Sequence, residues 1–286
     1  MTWILNSLSW VFAKLPLRGA QNLGAGIGFL VYAFSSRKQE VDFRISEALG
    51  IETSEARKIQ KRMYRNLGFT VAEFFRIPHM SEEEVNDLIS YQGLEKLPNK
   101  SGGFIVAVGH TGNWELMAAA SAQLDPSILL NVLVKPIKPD SLNRWINRTR
   151  ATWGNKVLDR RGASREVLRT LKRGENLVFV LDQNARRHWG VFVEFFDKPA
   201  CTYSALGQLA SLSGKPIFPV FCRRDPETRK CLVTIGDEIP GPADRSDEEI
   251  LKVTQACTKR IEDFVREHPD QWIWMHRRWK TKQLKE

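Results

Sequence analysis

Between Glu55 and Ile77 the segment EARKIQKRMYRNLGFTVAEFFRI sets Ile59, Met63, Leu67, Val71, Phe74 and Phe75 at intervals of three and four residues, with charged and polar side chains between them. An α-helix turns every 3.6 residues, so this spacing gathers the apolar side chains on one face and predicts one long amphipathic helix. Ser81 followed by Glu84 in SEEEV has the form of a capping box, and a second helix is expected to follow it. Beyond the turn LPNKSGG, β-rich runs near 104–109, 128–134, 177–182, 190–196, 216–222 and 231–235 alternate with helical runs near 114–124, 140–152, 163–173, 203–213 and 247–267. That alternation predicts an α/β fold on a mixed, largely parallel central sheet flanked by helices. No internal repeat or low-complexity segment interrupts it.

The first 36 residues follow a different pattern. TWILNSLSWVFA is apolar but short, Lys14, Pro16 and Arg18 interrupt, and GAQNLGAGIGFLVYAFSS then runs 18 residues without a charge before Arg37 and Lys38. A cleaved signal peptide is not expected, because no Lys or Arg precedes Lys14 to supply a basic n-region. A spanning helix needs about 20 mainly apolar residues, and the second run approaches that length only by including Gln21, Asn22 and four glycines. The expectation is an N-terminal helical membrane-associating segment over 1–36, lying on or half inserted in a bilayer, ahead of a main domain over 37–286. The alternative is a pair of helices packed on the protein's own core.

A chain of 286 residues with 42% hydrophobic content can bury a substantial core. Its 43 Lys and Arg against 33 Asp and Glu give +10, which favours an acidic partner: nucleic acid, an anionic membrane surface or an acidic protein. Cys201, Cys222, Cys231 and Cys257 form no CxxC pair and sit mostly in apolar surroundings. A disulfide framework or zinc knuckle is therefore not expected, and a reducing compartment fits.

The candidate chemistry lies in VAVGHTGNWELMA, residues 106–118. FIVAVG reads as a buried strand, Gly109 and Gly112 as turn residues, and Asn113 as the cap of a helix through WELMAAASAQL. His110 then leaves the carboxyl end of a strand, where open α/β sheets place their sites. Glu115 falls in the first helical turn, where the helix dipole favours its ionised form. The chain turns between them, so the Glu115 carboxylate is expected to accept the His110 Nδ1–H and leave Nε2 free as a base, like the base and orienter of a hydrolytic triad without its serine. Taken alone, an H-x4-E match reads first as a loop histidine followed by a helix-stabilising glutamate. Zinc finds no HExxH, since His79, His188, His268 and His276 are scattered. GHTG also has the GXXG form of a KH loop, but it follows a strand, whereas a KH loop joins two helices.

Three separated segments, GHTGNWE, VFVLDQNARRHWGVFVEFFDKPACT and REHPDQWIWMHRRWK, occur in an order and at separations that resemble the lipid A biosynthesis acyltransferases, the lauroyl and myristoyl transferases that complete lipid A. The resemblance extends from about Arg44 to Lys280, and a related branch acylates phosphatidylinositol mannosides. In these enzymes the H-x4-D/E motif is catalytic, which implies His110 and Glu115. The resemblance further places the family's D-Q on Asp182 and Gln183, and its basic residue ahead of the preceding helix on Arg160 or Arg161. DQN and FFDKPA stand where DQD and FFGxPA would be expected. These departures are read as substrate tuning that leaves Asn184 and Asp197 without a role.

The implied reaction moves an acyl chain from an acyl carrier protein thioester onto a hydroxyl of a membrane glycolipid, with no cofactor, no metal and no covalent enzyme intermediate. His110 would remove the hydroxyl proton. Oxyanion donors would be the backbone N–H groups of Gly112 and Asn113, or Arg160 or Arg161. Asp182 would be a second orienter or an acceptor contact. WIWMHRRWKTKQLK interleaves Trp272, Trp274 and Trp279 with Arg277, Arg278 and Lys280, a composition suited to lipid headgroups or phosphate; the alternative is that these tryptophans pack into the core. VFVEFF could border the acyl groove, but as a strand it is first of all core. The implied site is the cytoplasmic face of the inner membrane. A nucleic-acid-binding module would use the charge but requires stacking aromatics or a recognition helix, neither of which is evident, and a catalytically idle membrane scaffold would leave the H-x4-E pair unused.

Overall fold

The computed structural model describes residues 2–98, 102–124, 128–160 and 164–283. Four helices precede the sheet: α1 (Thr2–Lys14), α2 (Leu17–Phe34), α3 (Lys38–Leu49) and α4 (Thr53–Arg76). α4 is the long amphipathic helix expected from the spacing, and Ile59 and Met63 on its apolar face are buried. α3 ends at Gly50, whose φ of 66° closes the helix in the left-handed conformation.

α2 lies along α4 at backbone contact distance. A Cβ at Gly24 would sit 2.2 Å from the Gly68 carbonyl oxygen, and one at Gly28 would sit 2.2 Å from that of Tyr64. The glycines that shorten the apolar run therefore form a packing seam. Ala20, Gln21, Gly24 and Gly28 are buried on that side, while Leu23, Ile27, Phe29, Leu30, Val31 and Phe34 remain exposed on the other. α1 likewise exposes Trp3, Ile4, Trp10 and Val11. Among the described residues no helix is long and apolar enough to cross a membrane.

α5 (Glu82–Leu88) starts at Ser81 with the expected capping box. The main sheet contains β1 (Ile89–Gln92), β2 (Ile105–Val108), β3 (Leu130–Val134), β4 (Lys156–Asp159), β5 (Asn176–Val180), β8 (Ile217–Arg224) and β9 (Cys231–Ile235). Their order is β1-β9-β8-β2-β5-β3-β4. Only the β8–β9 pairing is antiparallel, so the sheet is mixed and largely parallel. β6 (Gly190–Glu194) and β7 (Pro199–Tyr203) form a separate antiparallel hairpin. The remaining helices are α6 (Trp114–Leu124), α7 (Asp140–Arg150), α8 (Ser164–Lys172), α9 (Ala205–Ser213) and α10 (Asp247–Glu267).

Three strands and one helix lie outside the patterns anticipated above. β1, β4 and β7 have four or five residues and mix polar with apolar positions, and α3 (KQEVDFRISEAL) is mostly polar. β2 is buried throughout, as its apolar run requires. Alternate residues feed two cores. Ile105 and Ala107 pack with Leu171, Leu206 and Val265 beneath the sheet, while Val106 and Val108 pack with Leu116 and Met117 of α6 on the other face.

Candidate active site

The β2–β5 register assembles the site. Val108 pairs with Val180, and the Leu181 N–H continues the ladder to the Val108 carbonyl at 2.9 Å. Two residues further on each strand, His110 meets Asp182. The His110 backbone N–H donates to Oδ2 of Asp182 at 2.8 Å, and His110 Nδ1 lies 2.8 Å from Oδ1. An ionised carboxylate only accepts, so Nδ1 carries the proton and Nε2 keeps its lone pair. Trp272 Nε1 donates a third hydrogen bond to Asp182, at 2.8 Å. Burial opposes ionisation of Asp182, but His110 and these hydrogen bonds outweigh it and lower the carboxyl to about pKa 2. Burial also disfavours the charged form of His110, and the neighbouring Asp182 charge reverses that, leaving the imidazole above its ordinary value. The Asp182 side chain is 3% exposed and that of His110 is 22% exposed, so the ring alone reaches the cleft.

Glu115 lies in the first turn of α6 as expected but does not orient His110. Its carboxylate grips the guanidinium of Arg150 from α7, with Oε2 at 2.8 Å from Nε and Oε1 at 2.5 Å from a terminal nitrogen, and it also accepts from Trp114 Nε1 at 3.2 Å. A planar guanidinium matches both carboxylate oxygens at once, while the His110 Nδ1–H is already committed to Asp182. The two motif residues thus line one cleft without bonding to each other.

The turn that carries His110 is also fully engaged. The Thr111 N–H donates to Gly109 O at 2.9 Å, the Gly112 N–H to Gln271 O at 2.8 Å, and the Asn113 N–H faces the Cys222 sulfur. Gly112 and Asn113 are therefore not available as oxyanion donors. Gly112 has φ 53°, and a Cβ there would lie 2.3 Å from the Cys222 carbonyl oxygen, so this turn requires glycine. Asn113 caps α6 as expected, accepting from the Leu116 N–H at 2.9 Å. Its amide donates to Glu73 at 2.5 Å, and Glu73 forms a buried ion pair with Arg224 at 2.5 Å while accepting from Gln21 at 2.7 Å.

The cleft, about 320 Å³, lies between α6, α7 and the carboxyl ends of β2, β3 and β5. His110, Glu115, Arg150, Arg160 and Gln183 are among its polar lining, and Val132, Ile137 and Ile146 among its apolar lining. Arg160 stands 4.7 Å over the Tyr203 ring, and the Gln183 amide nitrogen is 3.5 Å from His110 Nε2. Val108, Met117, Ala118 and Val178 are shared with a smaller, almost wholly apolar cavity of about 50 Å³ between α6 and the sheet. Arg150 is the site residue missed by sequence reasoning. It is one of three arginines in NRWINRTR, and nothing in that spacing sets it apart from Arg144 and Arg148.

Other expected site residues lie elsewhere. Arg161 is outside the described residues. Arg277 pairs with Glu40 of α3 at 3.0 Å, and Arg278 is wholly buried, donating to Cys201 O at 2.9 Å and to Thr202 Oγ1. Burial lowers the Arg278 pKa to about 10. Neither arginine lines the cleft. Trp272 and Trp274 are 0% exposed and pack with Phe195 and Phe196, so these tryptophans and, in the VFVEFF run, Val193, Phe195 and Phe196 belong to the core, while Arg277, Lys280 and Glu194 stay exposed. The two departures from the family pattern have structural roles. Asn184 binds Thr281 through its amide oxygen at 2.9 Å and amide nitrogen at 3.0 Å. Phe196 and Asp197, at φ 54° and 56°, make the two-residue turn of the β6–β7 hairpin. Among the described residues no three His, Cys, Asp or Glu side chains converge to hold a metal ion.

A family model described as bacterial lipid A biosynthesis acyltransferase matches residues 1–281. The chain is 24% identical to the lipid A biosynthesis lauroyltransferase of Escherichia coli strain K12, over 99% of this chain and 92% of that protein. It is also 24% identical to the palmitoleoyltransferase of the same strain, over 100% and 93%. To the phosphatidylinositol mannoside acyltransferase of Mycolicibacterium smegmatis it is 24% identical over 72% and 67%. Among solved structures, the 1-acyl-sn-glycerophosphate acyltransferase of Thermotoga maritima has a TM-score of 0.41 and 17% identity, over 93% of this chain and 97% of that one.

Proposed function

The chain belongs to the bacterial lipid A biosynthesis acyltransferase family and is an acyltransferase; from that premise we propose that it moves a fatty acyl group from an acyl carrier protein thioester to a hydroxyl of a lipid A precursor, with His110 as general base and Asp182 as its orienter. The observation that carries the reading is the neutral Nε2 of His110 facing the cleft while Nδ1–H is held by a buried carboxylate. The acceptor oxygen attacks the thioester carbonyl as its proton passes to Nε2, and Asp182 stabilises the imidazolium that forms. The tetrahedral intermediate collapses, the thiolate leaves, and the imidazolium returns the proton to sulfur. Such base catalysis contributes about 10²- to 10⁴-fold.

With the loop N–H groups engaged, Gln183 and Arg160 are the cleft donors proposed to meet the developing oxyanion. The acyl chain is proposed to pass Met117 and Ala118 into the apolar cavity beneath α6. Glu115 and Arg150 would fix the α6–α7 side of the cleft and present charge to the acceptor sugar. The apolar faces of α1 and α2 are proposed to lie in the cytoplasmic leaflet of the inner membrane, so that the acceptor offers its hydroxyl without leaving the bilayer.

The test supplies purified protein with acyl carrier protein or coenzyme A thioesters and, separately, a lipid A precursor or a phosphatidylinositol mannoside, and follows the acceptor by mass spectrometry. One acyl mass added to the lipid A precursor, with preference for the carrier protein donor, is expected. Faster acylation of the mannoside, or preference for the coenzyme A donor, would contradict the acceptor or the donor assignment respectively.

A further inference from the structure

A third cavity, of about 360 Å³, opens between α1 and α7. Its α7 lining is Trp145, Arg148 and Thr149, whereas Asn143, Ile146 and Arg150 line the catalytic cleft. At about 100° per residue these sets lie on opposite faces of the helix. α7 is therefore a wall shared by two separate cavities.

Most hydrogen-bond donors around this cavity are engaged within the protein, which leaves Arg148 and the Asn6 amide nitrogen among the described residues. Trp145, tilted against Phe75 with ring centroids 4.9 Å apart, directs its Nε1–H to Asn6 Oδ1 at 3.0 Å. An indole N–H only donates, so the amide oxygen must face it, and the Nδ2 group of Asn6, an exposed residue, takes no part in that bond. Ser9 Oγ donates to Phe75 O at 2.6 Å and consequently accepts from His79 Nε2–H at 3.0 Å. Arg148 is exposed, and neither it nor Arg144 one turn earlier has an acidic partner among the described residues. Like charges four residues apart on a helix repel. Among the described residues no carboxylate lines this cavity, and α1 contains none. α1 also exposes Trp3 and Trp10 to solvent, with Lys14 Nζ 5.6 Å from the Trp10 ring, an aromatic and basic edge suited to the headgroup layer.

We propose that the α1–α7 cavity binds the phosphate of an anionic phospholipid headgroup, distinct from the catalytic cleft, and so clamps α1 against α7. The site rests on the bilayer-facing N-terminus proposed above and is independent of the acyl-transfer chemistry. Arg148 and Asn6 Nδ2 contact the phosphate oxygens, and Trp145 forms the floor.

The full chain is tested by cosedimentation with vesicles of phosphatidylcholine alone or phosphatidylcholine with phosphatidylglycerol. Arg148→Glu and the uncharged plug Thr152→Trp should each lose about tenfold of the affinity gained from phosphatidylglycerol and keep wild-type binding to phosphatidylcholine. Arg245→Glu, the same charge change at an exposed loop residue outside the cavity, should lose less than about twofold. Short-chain phosphatidylglycerol, but not short-chain phosphatidylcholine or inorganic phosphate, should raise the melting temperature of the wild type and not that of Arg148→Glu. Equal losses in Arg148→Glu and Arg245→Glu, or full binding by Thr152→Trp, would overturn the cavity as the site. Equal stabilisation by inorganic phosphate would overturn the lipid assignment. Failure of the wild type to bind either vesicle would overturn the bilayer-facing N-terminus itself.

Discussion

Glu73 shows how far a single buried charge reaches from the His110–Asp182 pair proposed to be catalytic. It holds Arg224 of β8, Gln21 of α2 and the Asn113 cap of α6, so three elements meet on one carboxylate. Removing one partner of a buried ion pair leaves the other uncompensated, a loss of about 3–5 kcal/mol. Arg224→Met should therefore lower unfolding stability by that amount in denaturant titration, with activity falling as the loop before Asn113 loosens; unchanged stability would contradict the network. His110 was legible locally, because an apolar run, two glycines and a cap fixed its place at a strand end. Its partner was not. Glu115 is five residues away in sequence and drew the assignment, while Asp182 is 72 residues away and adjacent only through the β2–β5 register. Without the family resemblance, nothing local distinguishes Asp182 from a loop-capping aspartate. Arg278 misled in the opposite direction: its neighbours suggest a phosphate surface, yet its stem and guanidinium are buried over Phe195.

Elements were legible where one periodicity dominated. α4, α6, α10 and β2 follow the apolar spacing closely, whereas β1, β4 and β7 are short strands whose place depends on neighbours already in the sheet. The α2–α4 seam gives the sharpest test at this scale. A Cβ at Gly68 would lie 2.1 Å from the Gly24 carbonyl oxygen, and Gly26 has nothing within 4 Å. Gly68→Ala should destabilise by about 1–3 kcal/mol, while Gly26→Ala should be neutral or stabilise by up to about 1 kcal/mol through helix propensity. Similar melting temperatures for the two variants would argue against close packing. At α6, Ala118 borders both the cleft and the apolar cavity. Ala118→Leu should shift preference toward shorter acyl donors with turnover retained, and an unchanged chain-length profile would remove that cavity as the acyl seat.

For the whole molecule, the +10 net charge and the apolar N-terminal face are proposed to serve different partners, an acidic donor and a bilayer. Steering of an acidic carrier protein is screened over about 10 Å at 0.1 M ionic strength, so KM for that donor should rise with salt; a salt-independent KM would contradict steering. Because α2 is welded to α4, deleting the N-terminus would disturb the core. Polar replacement of exposed Trp3, Trp10, Phe29 and Phe34 tests the surface more cleanly and should release folded protein from membranes, whereas full retention would place the anchor elsewhere. The central claim, that His110 accepts the proton while Asp182 holds it, is tested most directly by the pH dependence of kcat/KM. His110 is raised above its usual value chiefly against burial by Asp182, with a smaller contribution from Glu115. Activity must therefore fall as pH drops through that raised pKa, because protonated Nε2 cannot accept. Asp182→Asn should reduce the plateau by about 10⁴-fold, as loss of an orienting carboxylate does in a hydrolytic triad, and move the acidic limb to lower pH. Glu115→Gln should lower the rate with a much smaller displacement of that limb. A limb that moves with Glu115→Gln and stays in place in Asp182→Asn would contradict the account.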